Sequence, residues 1–197
     1  MSKWRERPPP TLQGALTCWA AAISSFGRVT RGVPDWKTPS DVIKHFNAAF
    51  PDELNTDGSL KAPSGWIAFA KAFGLSLEEI RLNNPPVGPG AATSGMTSTV
   101  VDDLALEHFA AKLKKSHVIT VIAPENEDNP SHTVVVYGAD KFRLCYMDPL
   151  FDPSLPISSP RPPGGSGRVD KNWFCDTYQE FPSGFLSGPR FLLIWRD

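Results

Sequence analysis

The chain carries a thiol, an imidazole and a carboxylate at positions where helices and strands are expected to begin or end. Cys18 stands at the start of a predicted helix, His132 at the start of a predicted strand and Asp148 at the end of the next strand. A thiolate attacks a carbonyl carbon once a base has removed its proton, and a carboxylate holds that base in the required tautomer. These residue types predict nucleophilic acyl chemistry, provided that the fold brings them together.

Residues 18–27, CWAAAISSFG, predict a short helix that begins near Thr17 and ends at Gly27. Its apolar positions recur with helical spacing, at Trp19, Ala22, Ile23 and Phe26. Cys18 then lies in the first turn, where free backbone N–H groups and the helix dipole stabilise a thiolate. Alkylation by iodoacetamide is accordingly expected to be faster at Cys18 than at Cys145.

His132 and Asp148 are expected to be neighbours because they flank a predicted hairpin. The segments 132–138 and 142–148 are rich in β-branched and aromatic residues, and a short GADK turn separates them. Antiparallel pairing brings the start of the first strand beside the end of the second. Asp140 is a rival carboxylate, but it lies in the turn, at the opposite end of the strand from His132.

Gln13 precedes Cys18 by five positions. Its side-chain amide is a candidate to form an oxyanion hole with the Cys18 backbone N–H. The alternative is that Gln13 is an ordinary loop residue.

The rest of the chain predicts an α+β fold with a mostly antiparallel sheet, because helical patterns come first and strand patterns follow. Thr38, Pro39 and Asp41 form a capping-box start for a second helix. Further helices are predicted near 65–73 and 101–115, and strands at 117–123, 132–138, 142–148 and 190–195. The segment 76–82, SLEEIRL, is interpreted as a helical turn or an irregular piece, and 83–99 and 149–168 as long loops.

Composition indicates one globular domain over residues 1–197, with residues 1–10 as an N-terminal extension. The chain is 41% hydrophobic with a net charge of -1, which gives no reason to expect nucleic acid as a partner. No segment approaches the roughly 18 apolar residues of a membrane span. The N-terminal segment lacks the apolar region of a Sec signal peptide, so we expect synthesis in the cytoplasm.

The remaining cysteines and histidines predict no metal site. Three cysteines without CxxC spacing make a disulfide scaffold or a zinc site unexpected, and at least one thiol should be free. Cys145 is interpreted as an inert core thiol, and a Cys145–Cys175 disulfide as compatible only with an oxidising compartment. The other histidines are interpreted as structural, namely His45, His108 and His117.

The order of these motifs resembles the papain-like cysteine peptidases. The shared features are Gln13, the Cys-Trp-Ala that starts a helix, the histidine that opens a strand and the Asp-Pro that ends the next. The bacterial C39-like peptidases and secreted effector proteases are the most similar branches, through LKKSHVITVIA, SHTVVVYGAD and FRLCYMDPL. The resemblance covers residues 11–30 and 101–150 well. Two positions differ from the family: Gln13 is one residue closer to the cysteine than in papain, and serine replaces the frequent glycine before His132.

This resemblance implies a papain-like fold and a cysteine peptidase with a Cys18–His132–Asp148 triad, no metal or organic cofactor, and a peptide or protein substrate. It also suggests a bacterial effector or toxin, exported without a signal peptide, with an immunity or inhibitor protein as a partner. The main alternative is a peptidoglycan amidase or endopeptidase toxin with the same triad. An acyltransferase or transglutaminase, or a papain-like binding module without catalysis, are further alternatives.

Overall fold

The computed structural model of the chain describes residues 3–13, 17–82, 97–101, 106–123, 131–150, 173–177 and 190–197. Its helices are α1 (Cys18–Gly27), α2 (Pro39–Ala49), α3 (Ser64–Ala72) and α4 (Leu106–Leu113), with a 3-10 turn at Pro51–Glu53. Its strands are β1 (Lys3–Trp4), β2 (Ser76–Leu82), β3 (Thr97–Val101), β4 (Val118–Ala123), β5 (His132–Ala139), β6 (Arg143–Met147), β7 (Trp173–Thr177) and β8 (Arg190–Trp195). The fold is therefore α+β, as predicted.

The strands form one sheet in the order β3-β2-β8-β4-β5-β6-β7, and β1 pairs with the end of β5. Every pair is antiparallel except β2–β3, which is parallel. In an antiparallel pair, the start of one strand lies beside the end of its neighbour. The strand ends that therefore lie along one edge of the sheet are the start of β5, the end of β4, the end of β6 and the start of β8. We call this edge the nucleophile rim.

Helices cover both faces of the sheet. On one face, α1, α2 and α3 pack their apolar side chains against residues such as Val135, Met147 and Leu192. On the other face, Phe109 and Leu113 of α4 pack against residues such as Val134 and Phe191. The alternation of buried side chains along each strand thus divides the core into two layers.

The sequence correctly predicts most of these elements. The helix at 18–27 and the strand assignments match α1, β4, β5, β6 and β8 to within a residue at each end. The capping box is present, with the Thr38 side chain accepting from the Asp41 backbone N–H and the Asp41 side chain accepting from the Thr38 N–H. Helix α3 ends as predicted before Gly74, which adopts a positive φ of 60°.

The interpretation of 76–82 is wrong, because this segment is strand β2, which lies between β3 and β8 in the sheet. Two consecutive glutamates disfavour a strand by propensity, but here both have cationic partners. Glu79 is fully buried and pairs with Arg81, at 3.1 Å, and with Arg190. Glu78 pairs with Lys112 of α4, at 2.6 Å. Tertiary ion pairs therefore override the local pattern.

Two further boundaries differ from the sequence-based expectation. Residues 97–99 belong to β3 and not to a loop, whereas 83–96 lie outside the described residues. Helix α4 is described from Leu106, and residue 101 is the last of β3, so the helix does not reach back to 101. Most of the predicted 149–168 loop also lies outside the described residues.

Cys145 and Cys175 face each other across β6 and β7 and form a disulfide, so Cys145 is not the free core thiol that its position suggests. Both residues are buried, and Cys18 is the free cysteine. Within the described ranges, no helix has the length and hydropathy that crossing a membrane requires.

Candidate active site

Cys18 is the first residue of α1, and packing determines where this helix lies. All ten residues of α1 are buried, and Cys18 itself is only 8% exposed. The other end of the helix requires glycine, since a Cβ on Gly27 would come within 2.4 Å of the Pro34 carbonyl oxygen. Thr17 precedes the helix as predicted, but its side chain makes no capping hydrogen bond. The backbone N–H groups of the first turn have no acceptor within the helix. They lie beside the thiol because Cys18 belongs to that turn.

His132 and Asp148 meet across the β5–β6 hairpin, as the sequence predicts. The His132 Nε2 atom lies 2.8 Å from Asp148 Oδ1. Because a carboxylate accepts, Nε2 donates this hydrogen bond and Nδ1 is the nitrogen left for a proton exchange. Asp148 is 1% exposed and also accepts the Leu150 backbone N–H at 2.9 Å. Asp148 therefore caps the turn before Leu150 and orients the imidazole at the same time.

The thiol of Cys18 lies at the start of β5. In the protonated form its Sγ donates to the Ser131 carbonyl oxygen at 3.7 Å, one residue before His132. Burial lowers the pKa of His132, but charge and hydrogen-bond interactions with Asp148 and with Cys18 outweigh this and raise the pKa from 6.5 to about 10. At neutral pH the favoured state is therefore an imidazolium between a carboxylate and a sulfur atom. An imidazolium beside a cysteine favours the thiolate.

Gln13 is held at the same rim by its main chain. Its backbone N–H donates to the Pro149 carbonyl oxygen at 3.1 Å, directly after Asp148. Its side-chain Oε1 is buried and has no hydrogen-bond partner among the described residues. The segment before α1 is thus tied to the strand end that carries the carboxylate. The role of Gln13 in an oxyanion hole remains a prediction.

Asp140 lies at the other end of the hairpin, as expected. It accepts the backbone N–H groups of Phe142 and Arg143, at 2.9 and 2.8 Å, and pairs with the Arg143 side chain at 3.0 Å. These contacts make it a turn-stabilising residue at the edge of the sheet opposite the nucleophile rim.

The remaining histidines lie outside α1 and the β5–β6 hairpin. His45 packs among aromatic side chains, including Trp36 and Phe73. The His117 Nε2 atom lies 2.8 Å from the Glu6 carbonyl oxygen, and burial lowers its pKa. His108 lies on α4, on the other face of the sheet. The described part of the chain contains no group of histidine, cysteine and carboxylate side chains that could hold a metal ion.

Three backbone groups contribute to the site without any signal in the sequence. They are the Ser131 carbonyl that accepts from Cys18, the Pro149 carbonyl that accepts from Gln13, and the Leu150 N–H that donates to Asp148. Backbone contacts depend on the path of the chain and not on residue type. Only the position of these residues, next to the predicted triad, could have indicated them.

The raised pKa of His132 predicts a pH-dependent stability. In a Cys18→Ala protein no thiol proton enters the balance, so both states bind the imidazole proton below pH 6.5 and mainly the folded state does above it, because Asp148 raises the pKa of His132. We therefore expect the free energy of unfolding of Cys18→Ala to fall as pH rises above 6.5, by at most about 1.4 kcal/mol per pH unit. Urea unfolding at several pH values measures this slope. Adding His132→Gln should make the slope clearly smaller, and an unchanged slope would contradict the ionisation state inferred for the site.

Comparison of the chain with models of protein families finds no match, and comparison with curated proteins finds none either. The side-chain geometry at the nucleophile rim is therefore what indicates a function.

Proposed function

We propose that this protein is a papain-like cysteine peptidase that hydrolyses a peptide bond through Cys18, His132 and Asp148. One observation carries the proposal. The free thiol lies at the buried start of a helix, beside an imidazole that a buried carboxylate holds at 2.8 Å. Nucleophile, base and orienting group then occur together, which is the arrangement that activates a cysteine for acyl transfer.

The chemistry follows from the charges. The Cys18 thiolate attacks the carbonyl carbon of the scissile bond, and the carbonyl π electrons move to oxygen. The imidazolium of His132 then gives its Nδ1 proton to the leaving amine as the C–N bond breaks. A water molecule, deprotonated by the neutral imidazole, attacks the thioester and releases the acid and the thiolate. Asp148 accepts from Nε2 throughout and keeps Nδ1 directed at the reacting atoms.

The transient oxyanion needs hydrogen-bond donors, and the start of α1 can supply one. The Cys18 backbone N–H belongs to the first turn of the helix and has no intrahelical acceptor. Gln13 is the second candidate donor, through its side-chain Nε2, because its backbone is bound beside Asp148. Removal of one such donor typically slows turnover by about 10²- to 10³-fold.

The arrangement of elements supports a papain-like assignment. The nucleophile lies on a buried helix in the first part of the chain, and the base and carboxylate lie on adjacent antiparallel strands in the second part. The helix packs directly against β5, the strand that begins with the base. This is the order that the resemblance in the sequence implies.

The Cys145–Cys175 disulfide supports a role outside a reducing cytoplasm. Export as an effector or toxin, with an immunity or inhibitor protein as a partner, agrees with such a location. The same observation favours the second candidate, a peptidoglycan amidase or endopeptidase, because its substrate lies in an oxidising compartment.

Incubation of the purified protein with two substrate sets separates these candidates. One set is a mixture of denatured proteins and peptides, and the other is purified peptidoglycan. We expect new amino termini, detected by mass spectrometry, in one of the two sets with the wild type and in neither with Cys18→Ala. Equal cleavage by wild type and Cys18→Ala would show that the activity does not use this thiol.

A further inference from the structure

A polar cleft lies at the edge of the sheet opposite the nucleophile rim. Helix α1 begins with Cys18 and ends at Gly27, and the residues that follow it, Thr30 and Arg31, line this cleft. Strand β5 likewise begins with His132 and ends beside β1, whose Trp4 lines the same cleft. The cleft has a volume of about 750 Å³, within the range of small-molecule sites. It is separate from the triad.

Basic side chains outnumber acidic ones in the lining of the cleft. Its lining includes four cationic residues, Arg5, Arg31, Lys115 and Arg196, and two carboxylates, Glu6 and Asp197. The ion pair between Lys115 and Asp197, at 2.6 Å, neutralises one charge of each sign. Three guanidinium groups then face one carboxylate, so the cleft carries an excess of positive charge.

Backbone carbonyls at helix ends hold two of these guanidinium groups in place. Arg5 donates through Nε to the Leu113 carbonyl at 2.8 Å, and also to the Lys114 carbonyl, at the end of α4. Arg196 donates through Nη1 to the Phe73 and Gly74 carbonyls, at 2.6 and 3.3 Å, after the end of α3. A guanidinium has five N–H donors, so each arginine keeps donors that these carbonyls do not use.

The segment that carries Arg31 packs on one of these fixed arginines. Gly32 has a φ of +83°, and a Cβ at this position would come within 3.0 Å of Arg196 Nη2. Arg31 is exposed and makes no ion pair with any residue in the described ranges. This turn therefore brings Arg31 close to Arg196.

The wall of the cleft also contains a buried polar atom without a partner. Thr30 is 5% exposed, and its Oγ1 forms no hydrogen bond with the part of the chain that the structure describes. A buried hydroxyl without a partner costs free energy, so such groups usually have one. A ligand oxygen in the cleft would satisfy this hydroxyl.

We propose that this cleft binds a small polyanion, a molecule with at least two phosphate or carboxylate groups, through Arg31, Arg196, Arg5 and the Thr30 hydroxyl. Guanidinium groups match the oxygen pairs of phosphates and carboxylates geometrically, and fixed donors lose less entropy on binding. The site is at the far end of α1 from Cys18, so a bound ligand would not occupy the triad.

Isothermal titration calorimetry with inorganic pyrophosphate and with citrate, at about 0.15 M ionic strength, tests the proposal, because diffuse surface charge is largely screened there. We expect saturable binding of at least one anion. Tighter binding of pyrophosphate would identify phosphate as the natural ligand chemistry, and tighter binding of citrate would identify carboxylate. No saturable binding of either anion would overturn the proposal.

One variant and a matched control locate the site. Arg31→Gln should weaken binding about tenfold, the usual effect of losing one charge-assisted hydrogen bond. Arg28→Gln removes the same charge from an exposed position three residues earlier, outside the cleft, and should leave the affinity unchanged. Equal weakening by both variants would show diffuse attraction and overturn the proposal.

Thr30→Val shows whether the Thr30 hydroxyl contributes to anion binding or to the stability of the fold. This change removes the unpartnered hydroxyl, so the ligand-free protein should unfold at the same or a higher temperature. The affinity for the bound anion should nevertheless fall severalfold. Unchanged affinity in a folded Thr30→Val protein would remove Thr30 from the site and contradict the proposal as stated.

Discussion

Cys18→Ala and His132→Ala should each lower kcat by about 10⁶-fold, whereas Asp148→Ala should lower it by only about 10⁴-fold. The thiol and the imidazole take part in bond making and proton transfer, so the loss of either removes the whole covalent route. Asp148 acts by orienting His132 through the 2.8 Å hydrogen bond, and an imidazole without it still samples the reactive orientation. The ranking is measured with whichever substrate the wild type cleaves.

Combination of the changes gives the sharper test. Because the three residues act as a unit, Cys18→Ala combined with Asp148→Ala should be no slower than Cys18→Ala alone. Asp140→Ala is the matched control, since it removes a carboxylate from the far end of the same hairpin. Additive losses in the double variant, or a loss for Asp140→Ala as large as for Asp148→Ala, would contradict a catalytic triad.

The second large effect concerns stability and the cluster of Glu79 with Arg81 and Arg190. We expect Glu79→Ala to lower the free energy of unfolding by about 3–5 kcal/mol, because it leaves two largely buried guanidinium groups without their shared carboxylate. The side chain of Glu79 is fully buried, and those of Arg81 and Arg190 are 28% and 17% exposed. Urea unfolding at neutral pH gives the measurement.

Two further variants show whether the loss of stability comes from burying unpaired charges or from losing the ion-pair contact itself. Asp35→Ala breaks an ion pair with Lys37 whose partners are both mostly exposed, so it should cost less than about 1 kcal/mol. Replacing all three residues of the Glu79 cluster by methionine should recover most of the lost stability, since no buried charge remains. If the triple variant is no more stable than Glu79→Ala, the unpaired guanidinium groups are not the cause of the loss, and this explanation is wrong.

The parts of the fold that sequence reasoning predicted are those that local patterns determine. The hairpin of β5 and β6 follows from two runs of β-branched and aromatic residues around a four-residue turn, and this alone places His132 beside Asp148. The start of α1 follows from a small-residue apolar pattern that begins after Thr17. Both features depend on residues within about one element of each other, which is the range over which propensity and periodicity act.

The features that escaped prediction depend on partners distant in the chain. Strand β2 pairs with β8, whose Arg190, more than a hundred residues later, also neutralises Glu79. The disulfide joins Cys145 to Cys175 across a strand pair whose register the spacing of the cysteines does not reveal. The polar cleft gathers Arg5, Thr30 and Arg196 from three separate parts of the chain. Only the assembled sheet brings these groups together.

The rate at which iodoacetamide modifies Cys18, measured as a function of pH by intact-mass spectrometry, tests the central claim without any knowledge of the substrate. The other two cysteines are joined in a disulfide, so the added mass reports on Cys18. The His132 imidazolium should favour the reactive thiolate, so at pH 6 to 7 the wild type should be modified about tenfold or more faster than His132→Ala. Near pH 9, where an ordinary thiol is itself largely ionised, the two rates should approach each other. A wild-type rate at pH 6 to 7 no greater than that of His132→Ala would contradict the proposed nucleophile.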